Sequence, residues 1–482
     1  MKLDSAIIAK KYFTAGKVLF LITLFGAGLR LLGLFDDFWL DEVWSFGVAS
    51  HYSPLKIITN PFYSNSHILN VLFICLTGKG NPAYWFKFRL LSLIAGILTI
   101  PATYLVAARI SPSRYWRLVT VTLIAVSFPL IYFSCEARGY ALVVLFGLLS
   151  FYFLSEFLLK NNALPLFVFY CSFILGFLSH LSFIYVSVGL LSMSIYFLYG
   201  QQRPFKEKLS VLLRIFAFPA ALIISMYLKF ILSFMHSKGV HDFAISLPET
   251  IKETAAYLFG FSYGNSFAYL LALIFYIILI KETLDLLKEC SLFGVFCASS
   301  FVGICLDLLL RRPEYFYLRY LLAFFPFFII MFSHFLYRAA DQYRNLRLLV
   351  AILILLVAYG NLANYSNFLR GGGRGHYSQA VDYMRRHSRA TPVTVETSFG
   401  NCLVVDFYSL LRKDTEVICA PPPDKRRFYA PEWIIKYSRD KDPAPLESLN
   451  ICGVTYVLEK VYPRYSNIAG SNWMLYHGSL TH

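Results

Sequence analysis

Long apolar runs separated by short polar segments dominate the first 365 residues of the chain. A run of roughly 20 apolar residues can cross a bilayer as a helix. The pattern predicts eleven transmembrane helices, at 18–35, 90–108, 116–134, 141–159, 163–179, 182–199, 209–233, 255–280, 291–310, 319–337 and 347–363. A further apolar segment, 66–86, has a core too short to cross, because Gly78-Lys79-Gly80-Asn81-Pro82 interrupts it. We therefore predict that 66–86 is interfacial or re-entrant.

The distribution of Lys and Arg predicts the orientation of these helices. If 66–86 does not cross, the basic clusters of the chain lie on one side of the membrane. These clusters are at 2–17, 109–117, 203–208, 281–288 and 338–347. Such clusters are typical of the cytoplasmic side. This topology places the N-terminus in the cytoplasm and makes 36–89 one large external loop. It also places the C-terminus outside.

The external loop begins with an acidic and aromatic stretch, Phe35-Asp36-Asp37-Phe38-Trp39-Leu40-Asp41-Glu42-Val43-Trp44-Ser45. In a helix that starts at Phe38, one face carries Leu40, Val43, Trp44 and Gly47, and another face carries Asp41 and Ser45. This separation of faces predicts a helix that lies on the membrane. Asp36 and Asp37 are predicted only to end the first helix and to solvate a loop. Asp41 and Glu42 stand in a more particular pattern and are candidate catalytic residues.

The pattern changes after residue 365, where helical and strand periodicities alternate. It predicts helices at 377–387, 403–411 and 432–437 and strands at 392–396, 416–419, 453–459 and 473–476. We therefore expect domain 366–482 to be a small external α/β domain, after the joint at Gly371-Gly372-Gly373. It has no glycine-rich phosphate loop and no nucleophile motif, which favours support, acceptor capture or partner contact. Cys402, Cys419 and Cys452 allow one disulfide in an oxidising compartment.

Composition agrees with a polytopic α-helical membrane protein. Hydrophobic residues make up 57% and charged residues 15% of the chain, and the mean hydropathy is +0.58, whereas soluble domains carry about 25% charged residues. The net charge of +16 is explained by cytoplasmic loops near anionic membrane lipids, so no nucleic-acid partner is predicted. The nine Cys residues show no paired metal spacing, and no metal site is predicted from them.

The predicted external side collects the unusual polar residues of the chain. Arginines there run against the usual charge bias, and an anionic ligand would explain them, since Arg binds phosphate with a planar fork of donors. Alternatively, Arg138 pairs with Glu136 or Asp41, and each His is an ordinary hydrogen-bonded interior residue. A surface ion pair is the preferred interpretation for Arg311 and Arg312. The candidate site residues on this side are Asp41, Glu42, His67, Glu136, Arg138, Tyr140, His180, Arg319 and Tyr320.

Five short segments resemble motifs of one family. Trp39-Leu40-Asp41-Glu42-Val43-Trp44-Ser45 resembles the W-L-D-E-A-x-S motif of bacterial membrane glycosyltransferases of the C-type (GT-C) fold, which include protein O-mannosyltransferases and aminoarabinose lipid A transferases. The other four follow in the family's order: Ser66-His67-Ile68-Leu69-Asn70 (N-H-x-L-N or H-P-P-L), Phe88-Arg89-Leu90-Leu91-Ser92 (x-R-L-P-S), Ser134-Cys135-Glu136-Ala137-Arg138-Gly139-Tyr140 (S-Q-E-A-R-M-Y) and Leu318-Arg319-Tyr320-Leu321-Leu322 (x-R-Y-L-L). The family's prolines are missing from the second and third of these segments.

The resemblance implies transfer of a single sugar, with inversion, from a polyprenyl-phosphate-linked donor to a lipid, polysaccharide or protein acceptor. It implies a bacterial inner membrane and a periplasmic C-terminal domain. Asp41 would be the general base and Glu42 would position Asp41 or the acceptor. The remaining roles would be shared among the other candidates: Arg138, and then Arg319 with Tyr320, would bind the donor phosphate, and His67, Glu136, Tyr140 and His180 would line the pocket. A divalent metal ion is left open as a cofactor.

Two other classes of function remain. A transporter or flippase for a lipid-linked glycan would also have many helices, but it needs polar groups near the bilayer midplane and broken helices in repeated halves. The mid-span positions here are almost wholly apolar and no internal repeat is found. A membrane scaffold, the third class, would not depend on Asp41.

Overall fold

The computed structural model describes residues 2–59, 67–77, 82–236, 247–261, 267–310, 318–411, 416–421, 430–438, 444–451, 453–464 and 470–479. The chain forms two compact units. The first comprises Met1–Gly33, Pro54–Leu72 and Arg89–Asn364, and the second comprises Leu34–Ser53, Phe73–Phe88 and Tyr365–His482. Two segments of the predicted external loop thus belong with the C-terminal residues, whereas the predicted division had placed that loop in domain 1–365.

Among the described residues, the regular elements of the first unit are helices, and the second unit contains both helices and strands. Their bounds are α1 Lys2–Leu32, α2 Leu40–His51, α3 Pro54–Thr59, α4 Ile68–Leu76, α5 Leu90–Ala107, α6 Arg114–Val126, α7 Phe128–Ser134, α8 Tyr140–Lys160, α9 Ala163–Ser179, α10 Phe183–Tyr199, α11 Phe205–His236, α12 Leu247–Phe259, α13 Phe267–Lys288, α14 Leu292–Leu310, α15 Leu318–Leu321, α16 Phe325–Gln342, α17 Arg347–Arg370, α18 Tyr377–His387 and α19 Phe399–Ser409. A 3₁₀-helix at Pro82–Arg89 leads into α5.

Six described helical segments are long and apolar enough to cross a membrane, which makes this a multi-pass membrane protein. They are Ala15–Leu32, Tyr84–Ala107, Tyr140–Lys160, Phe205–Leu228, Leu318–Gln342 and Arg344–Arg370. The pair α6 and α7, bent by 55°, would make a seventh, and three shorter apolar helices lie at Ala163–Ser179, Phe183–Tyr199 and Leu292–Asp307. Eleven crossings remain a prediction.

The predicted continuous helix at 255–280 is wrong. Helix α12 ends at Phe259, where Gly260 adopts a φ of +75°. The Phe261 amide donates to the Ala256 carbonyl at 2.8 Å, a six-residue closure typical of a helix C-terminus with a left-handed glycine. A side chain at position 260 would overlap the backbone of Gly360 and Asn361, so this break also allows α17 to approach closely.

The second unit contains a six-stranded sheet in the order β2-β1-β3-β6-β5-β4. Strands β1 (Val393–Glu396), β2 (Val417–Ala420) and β3 (Trp433–Ser438) are parallel, whereas β4 (Ser448–Ile451), β5 (Val454–Tyr462) and β6 (Asn472–Ser479) pair antiparallel. The predicted helix at 432–437 is therefore strand β3, which lies between β1 and β6 and is buried over Trp433-Ile434-Ile435. Such a short apolar run fits a buried strand as well as a helix.

The acidic pair Asp36 and Asp37 binds the start of the C-terminal segment, which corrects the prediction that it only solvates a loop. Asp36 accepts from the Arg374 amide at 3.1 Å and from its guanidinium at 3.3 Å. Asp37 accepts from the amide and hydroxyl of Ser378 at 2.8 and 2.9 Å. Asp37 therefore caps the first turn of α18 from outside the helix, where a carboxylate is favoured by the helix dipole.

Helix α19 also contacts the segment that follows Asp37. Its Phe407 ring packs on the rings of Phe38 and Phe46 at 5.6 and 5.3 Å. The Tyr408 hydroxyl donates to the Phe38 carbonyl at 3.1 Å. A disulfide between Cys402 and Cys419 links α19 to β2, with Cα atoms 5.4 Å apart. The third predicted cysteine of this domain, residue 452, lies outside the described residues.

Candidate active site

The two predicted catalytic carboxylates lie in the first turn of α2, within the second unit. Glu42 is fully buried, whereas Asp41 is half-buried. The predicted helix is confirmed, but its buried side differs from the predicted apolar face, because Trp44 is 40% exposed and Phe46 is buried. A buried carboxylate such as Glu42 is costly unless the fold surrounds it with polar partners.

Four predicted site residues of the first unit come together as a cluster of rings, which we call the ring cluster: the predicted pocket residues His67, Tyr140 and His180, and Tyr320, which was predicted to bind the donor phosphate. The His67 ring lies 4.9 Å from the Tyr140 ring and 4.9 Å from the His180 ring, between centroids. His180 also lies 5.1 Å from Tyr140 and stacks on Tyr320 at 5.6 Å. The first and last of these residues, His67 and Tyr320, are 253 positions apart in sequence. Only the packing of the helices that begin or end next to these residues, or contain them, brings the four rings together.

The turn between α7 and α8 carries Glu136 and Arg138 into this region, and side chains of two other helices hold it. The Asn70 amide donates to the Ala137 carbonyl at 2.5 Å, and the Ser92 hydroxyl donates to the Arg138 carbonyl at 2.8 Å. These bonds satisfy backbone groups that a turn between helices leaves free. Glu136 and Arg138 are both buried.

Gly139 is the residue that allows His67 to approach this turn. A Cβ atom at position 139 would overlap the Ser179 carbonyl and lie 3.0 Å from Nδ1 of His67. The Gly139 amide donates to that Nδ1 at 3.1 Å. The Ser179 carbonyl lies 3.2 Å from the same Nδ1, so these two contacts do not by themselves fix the tautomer of His67. The buried Nε2 atom has no hydrogen-bond partner among the described residues.

Burial favours the neutral form of both imidazoles of the ring cluster. Burial, reinforced by the Arg138 guanidinium, holds the pKa of His67 well below its usual range. Burial, with Arg138 and Arg319 next, lowers the pKa of His180 to about 3. In His180, Nδ1 accepts from the Ser182 amide at 3.0 Å, which leaves the proton on Nε2. The positive charge around the rings therefore comes from the two arginines.

Sequence reasoning missed an acid among the helices of the first unit. Asp307 lies near the end of α14, and its Oδ2 accepts from the Tyr185 hydroxyl at 2.6 Å. An ionisable residue in a transmembrane run is by itself a functional signal, and this one was available in the sequence. Helix α12 likewise buries Lys252 and Glu253. Arg311 and Arg312, predicted to form a surface pair, lie outside the described residues.

A metal site finds no support in the described part of the chain. No group of three or more His, Cys, Asp or Glu side chains is arranged there to hold an ion. His67 and His180 approach one another, but the Nδ1 atom of each already contacts a backbone amide. A divalent cofactor thus remains an open prediction.

No protein-family model and no curated protein matches this chain. Among solved structures, it is similar to the archaeal oligosaccharyltransferase AglB from Archaeoglobus fulgidus, solved with an inhibitory peptide and a dolichol-phosphate. The similarity covers 85% of this chain and 64% of the archaeal protein, at 13% identity and a TM-score of 0.43. That protein is of the broad kind that the sequence motifs resemble. A TM-score this low carries no argument about the present chain, whose function must be argued from its own residues.

Proposed function

We propose that this protein is a GT-C membrane glycosyltransferase, which moves a single sugar from a polyprenyl-phosphate donor to a glycan, lipid or protein acceptor. The observation that carries the proposal is the ring cluster with its two arginines. The Arg138 guanidinium lies over the Tyr140 ring and the Arg319 guanidinium over the Tyr320 ring, each at 5.9 Å from the centroid, so both arginines place positive charge at the ring cluster. A lipid-linked phosphate is the ligand that such a place would favour on the predicted external side.

The role of the arginines follows from the charge that develops during transfer. A sugar phosphodiester carries one negative charge, and a second develops on the leaving phosphate as the bond to the sugar carbon breaks. Arg138 and Arg319 would stabilise that second charge, and the neutral N–H groups of His67 and His180 would donate hydrogen bonds without adding charge. Removing one such donor typically costs about 10²- to 10³-fold in rate.

The role of the base is assigned to Asp41. As the acceptor oxygen forms its bond to the anomeric carbon, its proton must leave, and a carboxylate accepts it in inverting transfer. Asp41 is half-buried at the start of α2 and Glu42 beside it is buried, which favours Asp41 as the base and Glu42 as its positioning residue. The Cys402–Cys419 disulfide supports a periplasmic, oxidising location for the second unit.

The test is to separate donor binding from transfer in purified protein reconstituted in liposomes. Asp41→Asn should abolish release of polyprenyl phosphate from a polyprenyl-phosphate hexose while leaving donor binding intact. Arg138→Ala should weaken binding of the donor itself. Arg203→Ala, an exposed arginine on the predicted opposite side, is the matched control and should change neither. Full transfer by the Asp41→Asn protein would refute the assignment of the base.

One observation favours the alternative of a transporter for a lipid-linked glycan. The pair α6 and α7 bends by 55° at Ser127, and broken helices are frequent at transporter binding sites. Mass spectrometry of lipids that copurify with the protein distinguishes the two functions. A polyprenyl-phosphate monosaccharide supports the transferase, whereas a lipid-linked polymer alone supports the transporter.

A further inference from the structure

A groove of about 560 Å³ lies between α6, α16 and α17, in the first unit. Its floor is apolar, formed by residues that include Val119, Val350 and Ile354. At one end Leu355, which is 68% exposed, also lines it. Because α17 contains a candidate membrane span, an exposed leucine on this helix indicates that the groove opens sideways towards lipid.

The other end of the groove is aromatic and cationic. The Trp116 and Tyr337 rings pack at 5.8 Å between centroids, and Arg347 lies in the same lining. Trp and Tyr concentrate where lipid headgroups meet hydrocarbon. The groove thus has the polarity of an amphiphile: an apolar channel that ends in an interfacial aromatic pair and a cation.

Arg347 is held in place with its charge unneutralised. Its Nε donates to the Ala340 carbonyl at 3.0 Å, and no carboxylate among the described residues pairs with its guanidinium. Arg344, exposed in the same connection between α16 and α17, adds a second cation. Asp341 is the one acid in the lining. The sequence places this end of the helices on the cytoplasmic side, where anionic lipids are enriched and basic pockets between helices bind their headgroups.

We propose that this groove binds one anionic phospholipid. Its phosphate would accept from the free guanidinium nitrogens of Arg347, and one acyl chain would lie along the apolar floor. Charge complementarity selects an anionic headgroup, and the length of apolar wall selects a lipid over a soluble phosphate. This site is separate from the ring cluster, and its existence does not depend on the proposed transfer reaction.

Trp116 provides a direct probe, because bromine atoms on a lipid chain quench nearby tryptophans. The full-length protein in detergent micelles would be titrated with brominated phosphatidylglycerol or brominated phosphatidylcholine. Of the six tryptophans, the Trp116 contribution is the difference between the wild type and Trp116→Phe. We expect phosphatidylglycerol to quench this contribution at lower concentration than phosphatidylcholine. Equal quenching by the two lipids would overturn the proposal.

Variants of the lining test each part of the site. Arg347→Gln should weaken phosphatidylglycerol binding about fivefold, the effect of one interfacial charge, while Arg203→Gln should leave it unchanged. Asp341→Asn should strengthen the same binding, because it removes a repulsive carboxylate. Ala351→Phe should fill the groove and reduce quenching by either lipid.

Three results would contradict the site as drawn. Equal effects of Arg347→Gln and Arg203→Gln would mean that only general surface charge matters. Undiminished quenching in Ala351→Phe would place the acyl chain elsewhere. Displacement of the brominated lipid by millimolar inorganic phosphate would identify a simple anion site. Asp341→Asn keeps the test decisive even if Arg347→Gln folds poorly, because an increase in affinity cannot result from misfolding.

Discussion

The ion pair between Asp36 and Arg374 predicts a large effect from a small change. Asp36→Asn keeps the size of the side chain and one acceptor for the Arg374 amide, but it removes the charge opposite the guanidinium. The Arg374 side chain is fully buried and that of Asp36 is 16% exposed, so water can reach the remaining cation only poorly. The variant therefore removes a counter-charge from a buried guanidinium inside the second unit.

The size of the effect follows from this burial. Breaking a buried pair by removing one partner typically costs about 3–5 kcal/mol, and the partial exposure of Asp36 places the expected loss near about 3 kcal/mol. Asp382 offers a comparison within the same unit, since it lies in α18 and pairs with Arg385 at 3.6 Å, with 31% of the Asp382 side chain and 7% of the Arg385 side chain exposed. Asp382→Asn should cost less than Asp36→Asn, about 1 kcal/mol, because Asp382 is nearer to water and its arginine is less completely buried.

Tryptophan fluorescence can follow this loss during thermal or denaturant unfolding, because five of the six tryptophans lie in the second unit and Trp433 and Trp473 are fully buried there. Asp36→Asn should lower the unfolding midpoint clearly and Asp382→Asn should lower it less. Because Asp36 lies five residues before Asp41 and ties that stretch to α18, transfer activity should fall with stability. Equal midpoints for the two variants would refute the reasoning.

Two further predictions concern the ring cluster. Gly139→Ala should strongly reduce donor binding, because the new Cβ atom would overlap the Ser179 carbonyl. Gly28→Ala is the control and should leave donor binding unchanged, because the space around position 28 is open. Equal donor affinity in the two variants would contradict this prediction. Because burial and nearby arginines hold the pKa of His67 low and that of His180 at about 3, donor affinity should stay constant between about pH 5 and 8, unlike that of a site with ordinary histidines. Tighter binding as the pH falls through 6.5 would mean that a ring gains a proton there.

Much of the fold is encoded locally and was predictable. Helix α18 begins and ends where its periodicity predicts, and β1, β2, β5 and β6 lie within one to three residues of the predicted strands. These elements have a clear hydrophobic period and turn residues at their ends. The errors fall where local signals are ambiguous: Trp433-Ile434-Ile435 fits a buried strand or a helix, and β4 (Ser448–Ile451) is too short to show a period.

The candidate site was predictable by residue type but not by arrangement. The sequence alone indicated that Arg138, Arg319, His67 and His180 are unusual on the external side, because their charge or polarity conflicts with neighbouring apolar runs. Tertiary packing decided that the rings meet and that the neutral form of both imidazoles is favoured. Burial and the field of arginines that are far away in sequence have no local signature. It also decided that Asp36, which looked like a simple helix stop, binds a residue 338 positions away in sequence. Local periodicity carries information over a few turns of chain, whereas contacts of this kind exist only after the helices and the sheet have packed.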